Sequence, residues 1–210
     1  VVSHVKMAVG DLEKGFAEAD LVLEDTYTTP RQKQCQLETN VSVAAFGDDG
    51  RITLWTTCAM PYLARLMVAD IFHLSPEQVR VITLNVGGGF GNRLGLVAEP
   101  YAVALAQKAG RPVMVEIPRD EDFYATECRH PSIIKIKAGA RKDGALVALQ
   151  ATAILNTGAY ATHGPAVRAI LGGTLRRLYP CPNFEYDGLA VYTNTPVAGA
   201  YRGYVGPQAL

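Results

Sequence analysis

Residues 83–96, TLNVGGGFGNRLGL, form the run in this chain most suited to chemistry. Gly87, Gly88 and Gly89 are followed by Phe90 and then by Gly91. Glycine loses more conformational freedom on folding than any other residue, so the cluster marks a sharp bend or a close approach to something bulky. A tight turn that packs a helix on a sheet would account for the glycines alone. It gives no reason for a large apolar ring among them. A loop that offers successive backbone N–H groups to an anionic or oxygen-bearing ligand, while a ring excludes water, uses both features.

A dinucleotide site is a second reading. Strand, glycine loop, helix and strand follow one another, and Glu116 stands where a ribose-binding acid would. The fingerprint fails at Asn92, where the third glycine belongs, and no Gly-Lys-Ser/Thr follows to make a phosphate loop. Pro100 either interrupts the next helix early or sets its start some distance past the glycines, and either case weakens phosphate binding at a helix N-terminus. A third reading is a non-catalytic assembly domain whose glycines only turn the chain.

The elements that must position this loop follow from pattern. A short helix is expected within 8–19, with Asp11 near its start, and an extended strand over LVLEDTYTTP. Two alternating strands flank Gly47-Asp48-Asp49-Gly50. A helix is expected across PYLARLMVADIFH, then a capping box at Ser75-Pro76-Glu77-Gln78. Residues 79–86 read as a buried strand, 96–109 as a helix closed by Gly110, and RPVMVEIP as a strand. A hairpin over 133–156 turns at Asp143-Gly144, with a helix near 165–178 and a strand at 188–193 beyond it. The fold class is α+β: a mixed sheet with hairpins and one βαβ-like unit.

Composition narrows the partners. Twenty basic and twenty acidic side chains give no net charge, hence no general attraction to nucleic acid or to an anionic membrane. No apolar run reaches the roughly 18–20 residues of a spanning helix. The start lacks a signal core, and four scattered cysteines form no framework, so a cytoplasmic location is expected. The chain ends in GYVGPQAL without a charged tail, and residues 1–210 read as one domain, a piece of a longer subunit.

Four ordered blocks carry a resemblance: GGGFGN at 87–92, GRPVMVEIPRDEDFYATECRHP at 110–131, NTGAY at 156–160 and TNTPVAGAYRGYVGPQ at 193–208. With QCQLETNVSVA at 34–44 they resemble the molybdenum hydroxylase family of xanthine dehydrogenase and aldehyde oxidase, over nearly the whole chain. The resemblance implies the first of two molybdopterin-binding halves. It implies a molybdenum–pterin cofactor, with iron–sulfur clusters and FAD on other domains or subunits. The reaction it implies is hydroxylation of an N-heterocycle or aldehyde with oxygen from water. The partners implied are the second molybdopterin-binding half, the iron–sulfur and flavin parts and a small-molecule substrate, with no nucleic acid and no membrane.

Residue by residue, Gly88, Gly89, Phe90 and Gly91 match the family loop beside the metal's ligands, where main-chain N–H groups stabilise negative charge. Arg202, in GAYRGY, matches a substrate-pocket arginine that orients the substrate and stabilises its developing charge, with Tyr201 beside it. Direct protein ligands to the metal are not expected. Cys58 stands where the family commonly has a cofactor-contacting glutamine, and reads either as a packed thiol or as a group near the metal centre. Leu94 stands near the place where xanthine-type members carry a purine-binding acid, so the resemblance does not extend to purine recognition. The family's catalytic glutamate belongs to the second half and has no match here, so the isolated chain is expected to be inactive. Glu38 and Glu99 read as caps or paired charges, Arg119-Asp120-Glu121-Asp122 as a solvated or ion-paired turn, and His130 as structural.

Overall fold

Strand alternation and two helical crossovers account for most of the architecture in the computed structural model, which describes residues 1–210. The chain forms two compact units: one from Val1–Lys33 with Glu127–Leu210, the other from Gln34–Thr126.

The first unit contains β1 (Ser3–Val9), α1 (Leu12–Ala17) and β2 (Leu21–Thr29) before the second unit intervenes. Numbering continues through that unit with β3 (Val41–Phe46), β4 (Ile52–Thr56), α2 (Pro61–Ile71), β5 (Val79–Thr83), α3 (Glu99–Ala109), β6 (Val113–Glu116) and α4 (Arg119–Ala125). The first unit then resumes with β7 (Ser132–Ala140), β8 (Leu146–Gly158), α5 (Gly164–Leu178), β9 (Phe184–Tyr192) and α6 (Gly206–Ala209).

In the first unit the sheet order is β1-β9-β8-β7-β2. β7 and β8 form the expected hairpin, and β8 runs parallel to β9 through the α5 crossover. Helix α5 places Val167, Leu171 and Leu175, spaced four apart, against Leu149, Ala151, Phe184 and Tyr186 of the sheet. Burying each such leucine contributes about 1.5–3 kcal/mol. Asp11 caps α1 through its carboxylate, which accepts the Lys14 N–H at 3.0 Å.

In the second unit the order is β5-β4-β3-β6. Ala44, Ile52, Leu54, Val68, Val79, Ala102, Val103 and Ala106 fill the core between this sheet and its helices. Gly110 closes α3 in the left-handed conformation.

Two expectations change. Both sheets are mixed, and each has a βαβ unit with adjacent parallel strands: β4-α2-β5 and β8-α5-β9. The strands either side of the glycine loop, β5 and β6, are instead opposite edges of one sheet, with β4 and β3 between them. The expected buried strand over 79–86 ends at Thr83. As an edge strand it has one neighbour, and Leu84 and Val86 beyond it are exposed.

Candidate functional site

The glycine loop leaves the end of β5 and does not run into a helix: α3 begins only at Glu99. Gly88 (φ +97°), Phe90 (φ +49°) and Gly91 (φ +107°) all lie in the left-handed region. That region is costly for a bulky side chain such as Phe90, and such strain persists only where surrounding structure enforces it.

Arg93 holds the loop from within at Gly88; it is only 2% exposed and is the largest fully buried side chain in the chain. Its Nε donates to Gly88 O at 2.6 Å. Nη2 donates to Glu38 O at 2.7 Å, to Glu38 Oε2 at 3.0 Å and to Thr39 O at 3.2 Å, and Nη1 donates to Thr57 Oγ1. Burial lowers the guanidinium's affinity for its proton, and the charges of Glu38, Glu99 and Asp122 oppose that. Glu38 fixes the loop's entry as well: Oε2 accepts the Gly87 N–H at 2.9 Å, while its own N–H donates to Gly87 O at 3.1 Å. At the exit, Asn92 N–H donates to Gly89 O at 2.9 Å.

Two features of the loop point outward. The amides of Gly88, Gly89 and Gly91 donate to no group of the chain. Gly89 also has no internal need to be glycine. A Cβ built on it would meet only the Arg93 side chain at 3.6–3.8 Å, an ordinary contact, and its φ is not in the left-handed region. The space a side chain would fill is therefore available to a bound group.

Behind the loop lies Asp122 of α4, which is fully buried. Its Oδ1 accepts from Asn92 Nδ2 at 3.1 Å, Thr126 Oγ1 at 3.1 Å and Gln36 Nε2 at 3.2 Å, and Oδ2 pairs with Arg119 at 3.1 Å. The 119–122 run opens α4: Asp120 and Glu121 are exposed, while Arg119 and Asp122 are ion-paired, with Asp122 serving as a buried hub. Cys58 is buried, with Sγ 3.7 Å from Thr83 Oγ1. Desolvation pushes its thiol up, which keeps it protonated and fits a packed thiol. Leu94 is partly buried in the loop's exit. Glu99, buried at the start of α3, does not cap the helix; its carboxylate accepts from Val97 N–H at 2.7 Å and from Thr56 Oγ1 of β4 at 2.6 Å.

In the first unit, Arg202 is exposed on a turn closed by Tyr204 N–H donating to Tyr201 O at 2.6 Å. Gly203 (φ +77°) and Tyr204 (φ +55°) are both left-handed. Nearby His130 is buried, its Nε2 without a partner, and its pKa falls to about 4 through desolvation and then the charges of His163 and Arg129. Desolvation raises the Glu127 carboxyl, opposed by His163, an Ala200 N–H and Lys33. His163 Nδ1 lies 2.9 Å from the Tyr204 hydroxyl.

The sequence model of the molybdopterin cofactor-binding domain matches residues 1–210, and the chain belongs to that family. It is 40% identical over 199 residues to a probable xanthine dehydrogenase subunit of Bacillus subtilis, covering 95% of this chain and 27% of that one. It is 37% identical over 210 residues to the nicotinate dehydrogenase large molybdopterin subunit of Eubacterium barkeri, covering 99% of this chain and 48% of the other. Among solved structures, the aldehyde oxidoreductase from Desulfovibrio gigas superposes with a TM-score of 0.92 at 28% identity, over 99% of this chain and 23% of that one. The chain thus spans between about a quarter and a half of the length of these relatives. No helix is long and apolar enough to cross a membrane.

Of the residues singled out from sequence, Gly88, Gly89, Phe90, Gly91, Leu94 and Cys58 belong to the second unit, Tyr201 and Arg202 to the first. Arg93 and Asp122 were not singled out. The one signal for Arg93 was a cation directly following a glycine loop; nothing distinguished Asp122 from Asp120 and Glu121.

Proposed function

We propose that this chain is the first molybdopterin-binding half of a molybdenum hydroxylase that acts on an N-heterocycle or an aldehyde. When bound, the molybdenum–pterin group supplies a two-electron oxidation with oxygen drawn from water. The amides of Gly88, Gly89 and Gly91 would hold negative charge on that group. Phe90, half exposed at the loop's crest, would exclude water beside it. Arg202 would orient the substrate and stabilise the charge that develops on it. Leu94 and Tyr201 would shape the substrate's surroundings. We keep Cys58 out of the reactive groups because its thiol is buried and neutral.

The general base, the iron–sulfur clusters and FAD would come from other domains or subunits, including a second molybdopterin-binding half. Two of the relatives are themselves named as subunits, in keeping with such an assembly. The dinucleotide reading is disfavoured by Asn92, whose amide is committed to Asp122, and by the late start of α3.

The observation that carries the proposal is Gly89, a glycine the fold does not require, beside amides that the chain leaves unused. The test is Gly89→Val in the assembled enzyme, with molybdenum and pterin content measured on purified protein. Loss of both is expected, and full occupancy would overturn the assignment of the loop.

A further inference from the structure

We propose that Arg129 is a positioning residue that fixes the turn carrying Arg202; the proposal rests on Arg202 acting on the substrate. Arg129 is 5% exposed and sits just before β7, where its N–H donates to Gln32 O at 2.8 Å. Its guanidinium reaches residues more than seventy positions further along. Nη2 donates to Arg202 O at 2.6 Å and Nη1 to Tyr204 O at 3.0 Å and to Gln208 Oε1 at 3.2 Å. The same group lies 4.2 Å from the centroid of the Tyr201 ring. Four residues of the segment 201–208 are thus gripped by one side chain.

The choice of an arginine needs a reason. A buried guanidinium without a carboxylate is costly, and Arg129 forms no salt bridge. An apolar side chain would pack the same space at less cost. What an apolar chain cannot do is donate to two carbonyls of one turn at once. The consecutive left-handed residues Gly203 and Tyr204 direct the carbonyls of Arg202 and Tyr204 so that a single planar fork meets both. Lysine offers a single point of donation, so Arg→Lys at this position is not conservative. The fork sets the rotation of the backbone at residue 202, and with it the direction in which the exposed Arg202 side chain leaves the turn.

The test uses the assembled molybdenum enzyme containing this chain, with Arg129→Lys, Arg202→Met and the double variant, all normalised to metal content. Hydrogen exchange at the Tyr204 amide reports the turn directly. Initial rates with nicotinate and with benzaldehyde report function. In Arg129→Lys the Tyr204 amide is expected to exchange about tenfold faster, with the amides of α5 unchanged. The value of kcat/KM is expected to fall on the order of 10- to 100-fold. The double variant is expected to be no worse than Arg202→Met alone.

Wild-type exchange and rates in Arg129→Lys would overturn the proposal. So would losses that multiply in the double variant, because Arg129 would then act independently of Arg202. If Arg202→Met keeps full activity, the reading of Arg202 fails on its own, and faster exchange in Arg129→Lys still supports the clamp. Where neither probe turns over, exchange decides. If Arg129→Lys does not assemble, Gln208→Leu removes one of the bonds to Nη1 and should show the same pattern more weakly; its absence overturns the proposal.

Discussion

Two turns of this protein, one in each compact unit, solve one problem with different chemistry. Each contains left-handed residues, including one non-glycine aromatic: Phe90 in the glycine loop and Tyr204 in the Arg202 turn. Each is gripped from within by a buried arginine whose donors reach main-chain carbonyls. Arg93 has a carboxylate partner, Glu38, and further negative charge in Glu99 and Asp122. Arg129 has carbonyls, an amide oxygen and an aromatic ring, but no carboxylate. The first arrangement pairs its cation with a carboxylate and leaves the amides of Gly88, Gly89 and Gly91 without an acceptor in the chain. The second retains a positive charge beneath a turn that already displays an arginine. A neutral scaffold suits a loop meant to meet a bulky anionic group through its amides, and a cationic one suits a turn meant to stabilise charge on a substrate.

The largest expected effect separates the two arginines. Arg93→Met strips donors from Gly88, Glu38 and Thr39 and leaves Glu38 without its cation, a loss of about 3–5 kcal/mol. Arg129→Met also frees carbonyls but relieves a buried charge with no counter-ion, so its cost should be about 1–2 kcal/mol. Trp55, the lone tryptophan, lies in β4 of the second unit, and its fluorescence in a denaturant titration follows that unit. Far-ultraviolet circular dichroism follows the whole chain. Equal losses in the two variants would show that the carboxylate does not matter and would break the comparison.

What could be read from sequence divides along the same line. Local signals were legible: Asp11 before α1, Gly110 after α3 and Asp143-Gly144 between β7 and β8 act within a few residues, and each stands where expected. The glycine loop and Arg202 stood out by composition and by likeness to a family. Their supports did not. Arg93 meets Glu38 fifty-five positions away, and Arg129 meets Gln208 across seventy-nine. Asp122 differs from Asp120 and Glu121 only in which face of α4 it occupies. The edge position of β5 was equally hidden, since an apolar run does not state how many neighbours it will have.

The surroundings of Arg129 give the next prediction. His130 is held neutral, with a folded pKa of about 4 against an ordinary 6.5. The unfolded chain therefore binds more protons between those two values. Stability from this histidine is fully present above about pH 6.5 and is lost as pH falls toward 4, by about 3 kcal/mol. Glu127, with its carboxyl raised by desolvation, acts in the opposite sense and loses its contribution as pH rises. His130→Gln keeps a donor for the Gly199 carbonyl but cannot titrate. The difference between wild type and this variant across pH 7 to 4 isolates the histidine, and parallel curves would show that His130 is not held neutral in the fold.

The smallest effect is the one that most sharpens the contrast between the turns. Gly203 needs its glycine for internal reasons, since at φ +77° an added Cβ would lie 2.9 Å from the Pro207 ring. Gly203→Ala should therefore cost about 1–2 kcal/mol, whether or not anything is bound. Gly89 faces no such constraint, and Gly89→Ala should leave the denaturation midpoint within about 0.5 kcal/mol of wild type. A stability change as large as that of Gly203→Ala would mean that the fold itself demands glycine at 89. The space over the loop would then carry no information about a ligand. An unchanged midpoint would show that the fold makes no demand for glycine at 89, which is the condition the functional reading requires.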